Sequence, residues 1–408
     1  MMNFGLMGFG TVGSGVYEII SSGKAGKDYN IKKILVRDPS KPRKVSAPGE
    51  LFTKDAADIL EDEDIKLVIC VMGGMEPEYT YIKQALSLGK SVVTANKEVI
   101  AAHMDELLDI ARSNGAYLYF EASVGGGIPI ISSLTDLIKL NTISQVTGIL
   151  NGTTNFILTK ISREHRDFAD ILKEAQEMGF AEADPSADVD GYDMMRKISI
   201  LSAIAFGNMV DESNVIMRGI RNILLDDVLA AESYGYKIKF LGQGVRSGEG
   251  FNVCVEPALI KNDFVVGNVN EEYNVIMAQG DLIGKLCFMG KGAGKNATAE
   301  AVVSDVIKVM SKTDEYSSIK LKPANSEGAR FEEMHEYYLR VSFNGYYSLS
   351  NTLDKISSLI KRNKIRVYNN MLFMITEAVN DSLMRELCGQ LAESGRDVFF
   401  ARIENNVL

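Results

Sequence analysis

The chain has 408 residues, 46% of them hydrophobic and 24% charged, with a formal net charge of −10 and a pI near 5.1. This length predicts two or three domains. The acidic balance argues against nucleic acid and membranes as partners, since both attract clustered Lys and Arg. The most apolar stretch, Ile198 to Val210, is shorter than the roughly 20 residues that span a bilayer. The four cysteines form no Cys-x-x-Cys pair, so we expect reduced thiols and a cytoplasmic protein.

The N-terminus carries a glycine-rich turn between a strand and a helix. Residues Asn3 to Met7 predict a short strand, a helical pattern follows the turn, and a second strand is expected from Ile31 to Val36. In a Gly-x-Gly-x-x-Gly turn, the glycines allow a tight bend, close approach to a pyrophosphate and close helix packing. The turn therefore predicts nicotinamide dinucleotide binding rather than a merely structural bend. The residues assigned to the cofactor are Gly8, Phe9, Gly10, Thr11, Val12 and Gly13.

The next segments alternate between strand and helix, which predicts a parallel sheet. Small or polar residues follow two of the predicted strands, at the strand ends where parallel sheets bind ligands. Gly73 follows the first of these strands, and Ala95, Asn96 and Lys97 follow the second. Lys97 has an alternative interpretation as the start of the helix at Glu98. The expected elements are a helix at 55–59, a strand at 67–71, a helix at 78–88 and strands at 91–94 and 117–121.

Two turns of small residues are candidates for contact with ligands. Gly125 to Gly127 implies close backbone approach to the nicotinamide, the substrate or a cation held by carbonyls. The turn from Asn151 to Asn155 supplies hydroxyl and N–H groups that suit a small carboxylate or aldehyde. It also fits a capped helix start at Thr153 or Thr154.

The segment from Gly179 to Lys197 contains five carboxylates and a basic pair in nineteen residues, directly before a buried helical stretch. Asp193 and Lys197 fall one helical turn apart. A lysine that loses hydration there has a lowered pKa and can donate or accept a proton. The alternative is an ordinary ion pair at a helix start.

The remainder of the chain predicts a second sheet and a separate C-terminal module. Strands are expected at 237–242, 251–255 and 275–280, in a sheet that could pair across a subunit interface, followed by a helix at 298–305 that packs back on the first domain. The last segment follows a βαββαβ order, which is ferredoxin-like. Its strands are expected at 337–343, 365–368, 372–376 and 397–403, with helices at 353–360 and 382–392.

Taken together, these motifs resemble homoserine dehydrogenase over residues 1 to about 325, and the C-terminal piece resembles an ACT domain. No aspartate-kinase portion is present, so the resemblance is to the monofunctional form. It implies an α/β fold with an N-terminal Rossmann dinucleotide-binding domain, an α+β substrate-binding and dimerisation domain, and a ferredoxin-like ACT domain. The boundaries are 1–130 (completed by 295–325), 131–294 and 335–408.

The resemblance implies interconversion of L-aspartate 4-semialdehyde and L-homoserine with NAD(P)H, in threonine, methionine and isoleucine biosynthesis, by a homodimer or homotetramer. Lys197 matches the general acid/base, Asp193 an orienting residue and Lys97 a second active-site lysine. The other matched positions are Glu182, Asp188, Thr153 and Gly179 for the substrate, Gly73, Ala95 and Gly292 with Lys97 on the cofactor side, and Glu121, Val124, Gly126 and Ile128 for a monovalent cation such as Na⁺.

The corner after the second strand bears on the choice of cofactor. Asp38 suits the ribose 2′-OH of NAD, whereas Arg37 suits the 2′-phosphate of NADP. Lys41, Arg43 and Lys44 follow, so the local charge favours NADP(H), with NAD(H) accepted. The alternative is that these cations form a solvated loop.

Two other functions remain to be weighed. One is a different Rossmann dehydrogenase for an amino acid or semialdehyde, which would give no reason for the acidic segment. The other is a non-catalytic sensor of metabolites, against which the intact Lys97, Asp193 and Lys197 argue. In the C-terminal module, the turn from Asn344 to Asn351 has two tyrosines and no proline, so we expect this module to assemble subunits more than to sense threonine.

Overall fold

The computed structural model describes residues 2–248, 250–313, 315–324 and 334–408. The chain forms two compact units. Within the described residues, unit 1 contains the chain up to Val146, then Arg196–Glu212 and Ala278 to Ala324. Unit 2 contains Thr147–Met195, Ser213–Met277 and Met334 to Leu408.

Unit 1 is built on a six-stranded sheet in the order β3-β2-β1-β4-β5-β6, with every pairing parallel. The central strands are buried apolar runs, as expected where helices cover both faces. The elements of this part of the chain are β1 (Met2–Met7), α1 (Thr11–Ser21), β2 (Tyr29–Leu35), β3 (Phe52–Thr53), α2 (Ala57–Leu60), β4 (Ile65–Cys70), α3 (Glu78–Ser87), β5 (Ser91–Thr94), α4 (Lys97–Ser113), β6 (Leu118–Tyr119) and α5 (Ile130–Leu137).

The predicted strand and helix alternation is confirmed in this sheet, and the element ends differ by only a few residues. The middle of the chain then supplies the second sheet and its helices. Its elements are β7 (Ile143–Ile149), α6 (Gly152–Glu164), α7 (Phe168–Glu177), α8 (Ser186–Val189), α9 (Tyr192–Phe206), β8 (Ile216–Met217), α10 (Leu225–Ser233), β9 (Tyr236–Ser247), β10 (Gly250–Lys261), β11 (Tyr273–Gly280), β12 (Gly284–Lys291) and α11 (Lys295–Met310).

Helix α11 packs against α1 within unit 1. A Cβ on Gly15 would lie 2.9 Å from the Cβ of Ala299, so only glycine allows this approach. Lys295 forms an ion pair with Glu18 at 2.5 Å. Residues late in the chain are therefore part of unit 1.

The second sheet has the order β11-β7-β9-β10-β18-β14-β16-β15, with β12 next to β11 and β8 paired with β10. The three strands predicted in the middle of the chain fall within β9, β10 and β11, whereas β7 and β12 are additions. The C-terminal elements are β13 (Met334–His335), β14 (Tyr337–Ser342), α12 (Gly345–Leu359), β15 (Arg362–Tyr368), β16 (Met371–Thr376), β17 (Val379–Asn380), α13 (Asp381–Glu393) and β18 (Val398–Glu404).

The C-terminal segment has the predicted βαββαβ order around its own apolar core. Its sheet does not end at β18, because β18 pairs in parallel with β10, with Ala258 opposite Arg402. A buried ion network adds to this contact: Glu256 on β10 is 2.8 Å from Arg385 on α13. Burial alone would raise the pKa of Glu256, but the charges of Arg218 and Arg385 lower it to about 2. The C-terminal module is therefore firmly joined to the rest of unit 2.

Helix α12 begins at Gly345, well before the predicted start at Leu353. Most of the segment from Asn344 to Asn351, which the resemblance to ACT domains predicts as a turn, is therefore helical. Across the part of the chain that the structure describes, no helix has the length and apolar character needed to cross a membrane.

Candidate active site

The glycine turn after β1 is shaped by its first and third glycines. Gly8 has a φ of +102°, and a Cβ there would lie 2.6 Å from the Val71 carbonyl oxygen. A Cβ on Gly13 would lie 2.1 Å from the carbonyl oxygen of Gly8. By contrast, a Cβ on Gly10 would meet no atom within 4 Å. Gly10 thus leaves open space at the N-terminus of α1, where a pyrophosphate can approach the backbone.

A cavity of about 680 Å³ opens beside this turn. It extends from the turn to the residues that follow β2 and β4, which is the carboxyl edge of the parallel sheet. Of the predicted cofactor residues, those on its wall are Gly8, Phe9, Gly10, Thr11 and Arg37, whereas Val12, Gly13, Gly73, Ala95, Lys97 and Gly292 are not.

One end of the cavity, which we call the basic corner, collects five cations: Arg37, Lys41, Arg43, Lys44 and Lys54. Arg43 is held in place, since its guanidinium donates to the Asp38 carbonyl at 2.5 Å and lies 4.5 Å from the centre of the Phe52 ring. Among the described residues, Arg37, Lys41, Lys44 and Lys54 form no ion pair.

The single carboxylate of this corner is turned to its own loop. Asp38 Oδ1 accepts hydrogen bonds from the backbone N–H of Ser40 at 2.9 Å and from its hydroxyl at 2.6 Å. These two bonds lower the pKa of Asp38. The basic corner therefore presents five cations to the cavity against the one described carboxylate of its wall, Asp38, whose lowered pKa keeps it ionised.

Buried Glu78 organises the loop after β4, and sequence reasoning missed this role. Its carboxylate accepts hydrogen bonds from the backbone N–H of Met72 at 2.9 Å and of Gly73 at 2.7 Å, and from the Thr94 hydroxyl at 3.1 Å. Burial raises its pKa, although these hydrogen bonds oppose the shift. In the sequence, Glu78 is only an acidic residue in a first helical turn, a common feature with no functional signal of its own.

Asn96 fixes the start of the next helix. Its side-chain oxygen caps α4 by accepting from the backbone N–H groups of Glu98 and Val99, and its amide donates to the Gly74 carbonyl at 2.7 Å. Lys97 is the first residue of α4. The backbone at Lys97 is thus tied both to its own helix and to the loop after β4.

The glycine turn at Gly125 to Gly127 approaches another part of the backbone. A Cβ on Gly126 would lie 2.7 Å from the carbonyl of Gly292, so these two predicted site residues pack together. This contact supplies a structural reason for the turn that the sequence alone did not suggest.

The carboxylate of Glu121 caps helix α5. It accepts from the backbone N–H of Ile131 at 2.7 Å and from the backbone N–H and hydroxyl of Ser132 at 2.9 and 2.5 Å. The backbone N–H of Glu121 donates to Asp305 at 2.8 Å. Burial and the nearby charge of Glu121 raise the pKa of Asp305 to about 8.

In unit 2, Asn151 connects two of the predicted acidic site residues. Its amide donates to Asp188 at 2.7 Å and to Asp193 at 2.9 Å. Its side-chain oxygen accepts from the backbone N–H of Thr154 at 2.8 Å and from the Thr154 hydroxyl at 3.0 Å, which caps α6. Every hydrogen-bonding group of this amide is therefore used, so its orientation is fixed. We call Asn151, Asp188 and Asp193 the amide cluster.

Asn151 itself was not among the predicted site residues. The available signal was an asparagine between a strand and a Gly-Thr-Thr turn, and that pattern indicates a helix cap rather than a site. A capped helix start is present, but it lies earlier than the predicted Thr153 or Thr154, since α6 begins at Gly152 with Asn151 as the capping residue.

The other predicted substrate residues are Thr153, Gly179 and Glu182, and a hydrogen bond joins Thr153 to the segment that carries the other two. The Thr153 hydroxyl donates to the Phe180 carbonyl at 2.8 Å. Gly179 has a φ of +78° just after α7, where a helix commonly ends on glycine. Glu182 is exposed, and its backbone carbonyl accepts from Gln176.

Helix α9 carries both Asp193 and Lys197, one turn apart as predicted. Asp193 is 7% exposed and Lys197 is 9% exposed. Two ionisable side chains on one helix are therefore largely removed from water, as groups that transfer or orient a proton require.

Comparison with known families agrees with this geometry. A model described as the homoserine dehydrogenase NAD-binding domain matches residues 8–121, and one described as homoserine dehydrogenase matches residues 129–307. The homoserine dehydrogenase of Bacillus subtilis is 43% identical over 312 residues, which cover 75% of this chain and 72% of that protein.

Solved structures give the same result. A homoserine dehydrogenase from Thiobacillus denitrificans matches with a TM-score of 0.88 and 32% identity, over 99% of this chain and 98% of that one. A hyperthermophilic archaeal homoserine dehydrogenase mutant in complex with NADPH matches with a TM-score of 0.66 and 28% identity, over 77% of this chain and 99% of that one. Because the two family models match residues 8–121 and 129–307 and a homoserine dehydrogenase that is 43% identical covers 75% of the chain, the chain belongs to the homoserine dehydrogenase family, whose members are oxidoreductases of amino-acid biosynthesis.

Proposed function

We propose that the chain reduces L-aspartate 4-semialdehyde to L-homoserine with NADPH, and that Lys197 supplies the proton, in the biosynthesis of threonine, methionine and isoleucine. The observation that carries the proposal is helix α9, which places buried Asp193, fixed by Asn151, one turn before buried Lys197. The test is an assay with L-aspartate 4-semialdehyde and NADPH or NADH in parallel. Nothing in the comparisons favours a non-catalytic sensor.

In the proposed reduction, each site residue has its own role. A bound nicotinamide supplies a hydride to the aldehyde carbon. The oxygen then needs one proton, which the Lys197 ammonium donates, while Asp193 orients the lysine or the substrate. Lys97 contacts the same oxygen and the nicotinamide region. The carboxylates of Asp188 and Glu182 attract the ammonium group of the substrate, with Gly179 close by in the chain and Thr153 bonded to the Phe180 carbonyl.

The preference for NADP(H) over NAD(H) is supported by the basic corner. Arg37, Lys41, Lys44 and Lys54 carry charges that no described carboxylate pairs with, and Asp38 is occupied by Ser40. A 2′-phosphate would gain from this surplus of cations, whereas a 2′-hydroxyl would have only the Asp38 carboxylate, whose Oδ1 already accepts two hydrogen bonds. A kcat/KM for NADPH well above that for NADH is the expected result.

A monovalent cation such as Na⁺ is proposed at the backbone carbonyls of Val124, Gly126 and Ile128. The donor chemistry fits a hard cation, since carbonyl oxygens are suitable ligands. The Glu121 carboxylate accepts three hydrogen bonds at α5, so Glu121 would contribute charge or its own carbonyl. Replacing Na⁺ with choline should lower the melting temperature if the cation is structural.

For the C-terminal segment, we propose an ACT-like domain that joins subunits into a homodimer or homotetramer. One edge of its sheet is covered by β10, whereas β15 lies at the other edge and exposes Ile365 and Val367. Such edges are commonly covered by a second subunit. Ile365→Asp with Val367→Asp should lower the oligomeric state in light scattering, whereas Leu282→Asp, at an exposed position in unit 1, should not.

Threonine sensing is tested separately in the full-length enzyme. The exposed Tyr346 and Tyr347 occupy the first turn of α12, where an amino acid would have to approach the backbone. We expect no inhibition by low millimolar L-threonine. Inhibition that is lost on truncation after Pro323 would show a working sensor.

A cytoplasmic location stays a prediction.

A further inference from the structure

An ion pair joins the two segments that carry the proposed active-site lysines. Arg196 Nη1 lies 2.7 Å from Glu98 Oε1, and both residues belong to unit 1. Glu98 directly follows Lys97 in the first turn of α4, and Arg196 directly precedes Lys197 in α9. A single contact therefore links the backbone next to both lysines.

This contact adds a restraint that the other hydrogen bonds near Lys97 do not provide. Asn96 ties the start of α4 to Gly74, which fixes α4 against the loop after β4. The ion pair of Glu98 with Arg196 ties the same helical turn to α9. Relative movement of the two helices would change the distance between these two charged groups.

The surroundings of the pair make this arrangement sensitive to substitution. The two side chains are 30% and 27% exposed and lie on the wall of a cavity of about 450 Å³. Arg196 is the one cation among the described residues of that wall, which also includes Asp105, Asp211 and Glu212. Without the charge of Glu98, Arg196 has other carboxylates to approach. Without Arg196, several carboxylates repel one another across the cavity.

We propose that the Glu98–Arg196 pair positions Lys97 and Lys197 relative to each other for catalysis. This inference rests on the function proposed above for the two lysines. A partly exposed ion pair contributes little to folding stability. Displacement of a catalytic group by about 1 Å, however, can reduce turnover by about 10²-fold. The main effect of the pair is therefore on turnover.

The test uses Glu98→Gln, Arg196→Gln and the double variant in the full-length enzyme. We expect kcat to fall about tenfold in Glu98→Gln and further in Arg196→Gln, with the KM for NADPH unchanged. The double variant should resemble Arg196→Gln, because residues that act as a unit give non-additive losses. Arg196→Lys, which keeps the charge, should restore part of the kcat. With deuterated NADPH, the isotope effect on kcat should increase, since a misplaced proton donor slows the chemical step.

A matched control is available on the same helix. Lys83 on α3 and Glu106 on α4 form an ion pair at 2.6 Å, with side chains 44% and 38% exposed. Lys83→Gln and Glu106→Gln remove a comparable contact that is not adjacent to either lysine in the chain. Both should keep kcat within about twofold of the wild type, because exposed pairs stabilise only slightly. Losses equal to those of the Glu98 and Arg196 variants would overturn the proposal.

Two further outcomes separate this inference from the proposed function. If Lys197→Ala abolishes turnover but Glu98→Gln and Arg196→Gln keep the wild-type kcat, the pair has no positioning role. If Lys97→Ala and Lys197→Ala both keep the wild-type kcat, the function assigned to the lysines is wrong. Should the glutamine variants not fold, Glu98→Asp and Arg196→Lys apply the same test, with intermediate losses expected and unchanged kcat overturning the inference.

Discussion

The basic corner and the amide cluster organise charge in opposite ways. In the basic corner, none of the five cations forms an ion pair with the residues the structure describes. In the amide cluster, Asn151 holds Asp188 and Asp193 at 2.7 and 2.9 Å and has no hydrogen-bonding group to spare. Charge is concentrated in both places, but the carboxylates of the amide cluster share one fixed donor, whereas Arg37, Lys41, Lys44 and Lys54 form no ion pair with the residues the structure describes.

This difference suits different tasks. Several cations without ion-pair partners raise the affinity for an anion even when its exact position is not fixed. Salt reduces this gain in affinity. A proton transfer needs groups held within hydrogen-bond reach of the reacting atom. We therefore expect changes in the basic corner to alter cofactor affinity and changes around the amide cluster to alter turnover.

The largest effect is expected from Lys197→Ala. Loss of general acid catalysis should lower kcat by about 10²- to 10⁴-fold. Binding of NADPH, followed by fluorescence titration, should be nearly unchanged because the hydride donor does not depend on this amine. Lys173→Ala, at an exposed position on α7, is the control. Wild-type turnover of this variant at neutral pH would show that another group donates the proton, and Lys97 would be the first candidate.

A smaller loss is expected from Asn151→Ala. The change leaves Asp188 and Asp193 without their shared donor, so kcat should fall about 10- to 100-fold, within the range that misplaced catalytic groups produce. It also removes a helix cap, which costs about 1 kcal/mol of stability. Asn380→Ala removes the cap of α13 and is the matched control: it should lower the melting temperature similarly and leave kcat unchanged. Equal kcat losses in both variants would attribute the effect to capping alone.

The next prediction concerns the basic corner. Arg37→Ala should raise the KM for NADPH about tenfold, because a charge-assisted contact to a phosphate contributes roughly 1.5 kcal/mol. The KM for NADH and the kcat should hardly change. Lys24→Ala, at an exposed position outside the cavity, is the control. A wild-type KM lower for NADH than for NADPH, unchanged by Arg37→Ala, would contradict the preference for NADP(H).

The smallest effect is expected when the ionic strength of the assay is raised. Raising the ionic strength from about 0.05 M to about 0.5 M shortens the Debye length severalfold. The KM for NADPH should therefore rise a few-fold, while kcat at saturating cofactor stays constant because the hydrogen bonds of the amide cluster are short and partly buried. The KM for NADH serves as the internal control. Equal salt dependence for the two cofactors would show that the basic corner does not contact a 2′-phosphate.

Much of the fold could be predicted because its signals are local. The apolar runs of β1, β4 and β5 and the glycine turn after β1 lie within short windows of sequence. Strands β7 and β12 were missed. The burial of β12 is intermediate or low, so its sequence lacks the apolar run that indicates a strand.

The two carboxylates of the amide cluster could be singled out from the sequence, but the hydrogen bonds that join them could not. Asp188 and Asp193 stand out because carboxylates are dense in that segment. The asparagine that joins them is far away in sequence, and only folding brings its amide to both. The ion pair of Glu98 with Arg196 was missed for the same reason. Glu78 was missed although its partners Met72 and Gly73 are near in sequence, because an acidic residue in a first helical turn is common.

The pairing of β18 with β10 has a consequence for the order of folding. The two strands are far apart in the chain, yet β18 lies between β10 and β14 in the finished sheet. Until β18 pairs with it, the apolar strand β10 has an open edge with which another chain could pair. Contacts so distant in sequence form slowly, because long loops must close first. Refolding at high protein concentration should therefore lose yield to aggregation through β10, even though β18 covers Ala258 to Ile260 of that edge in the folded chain.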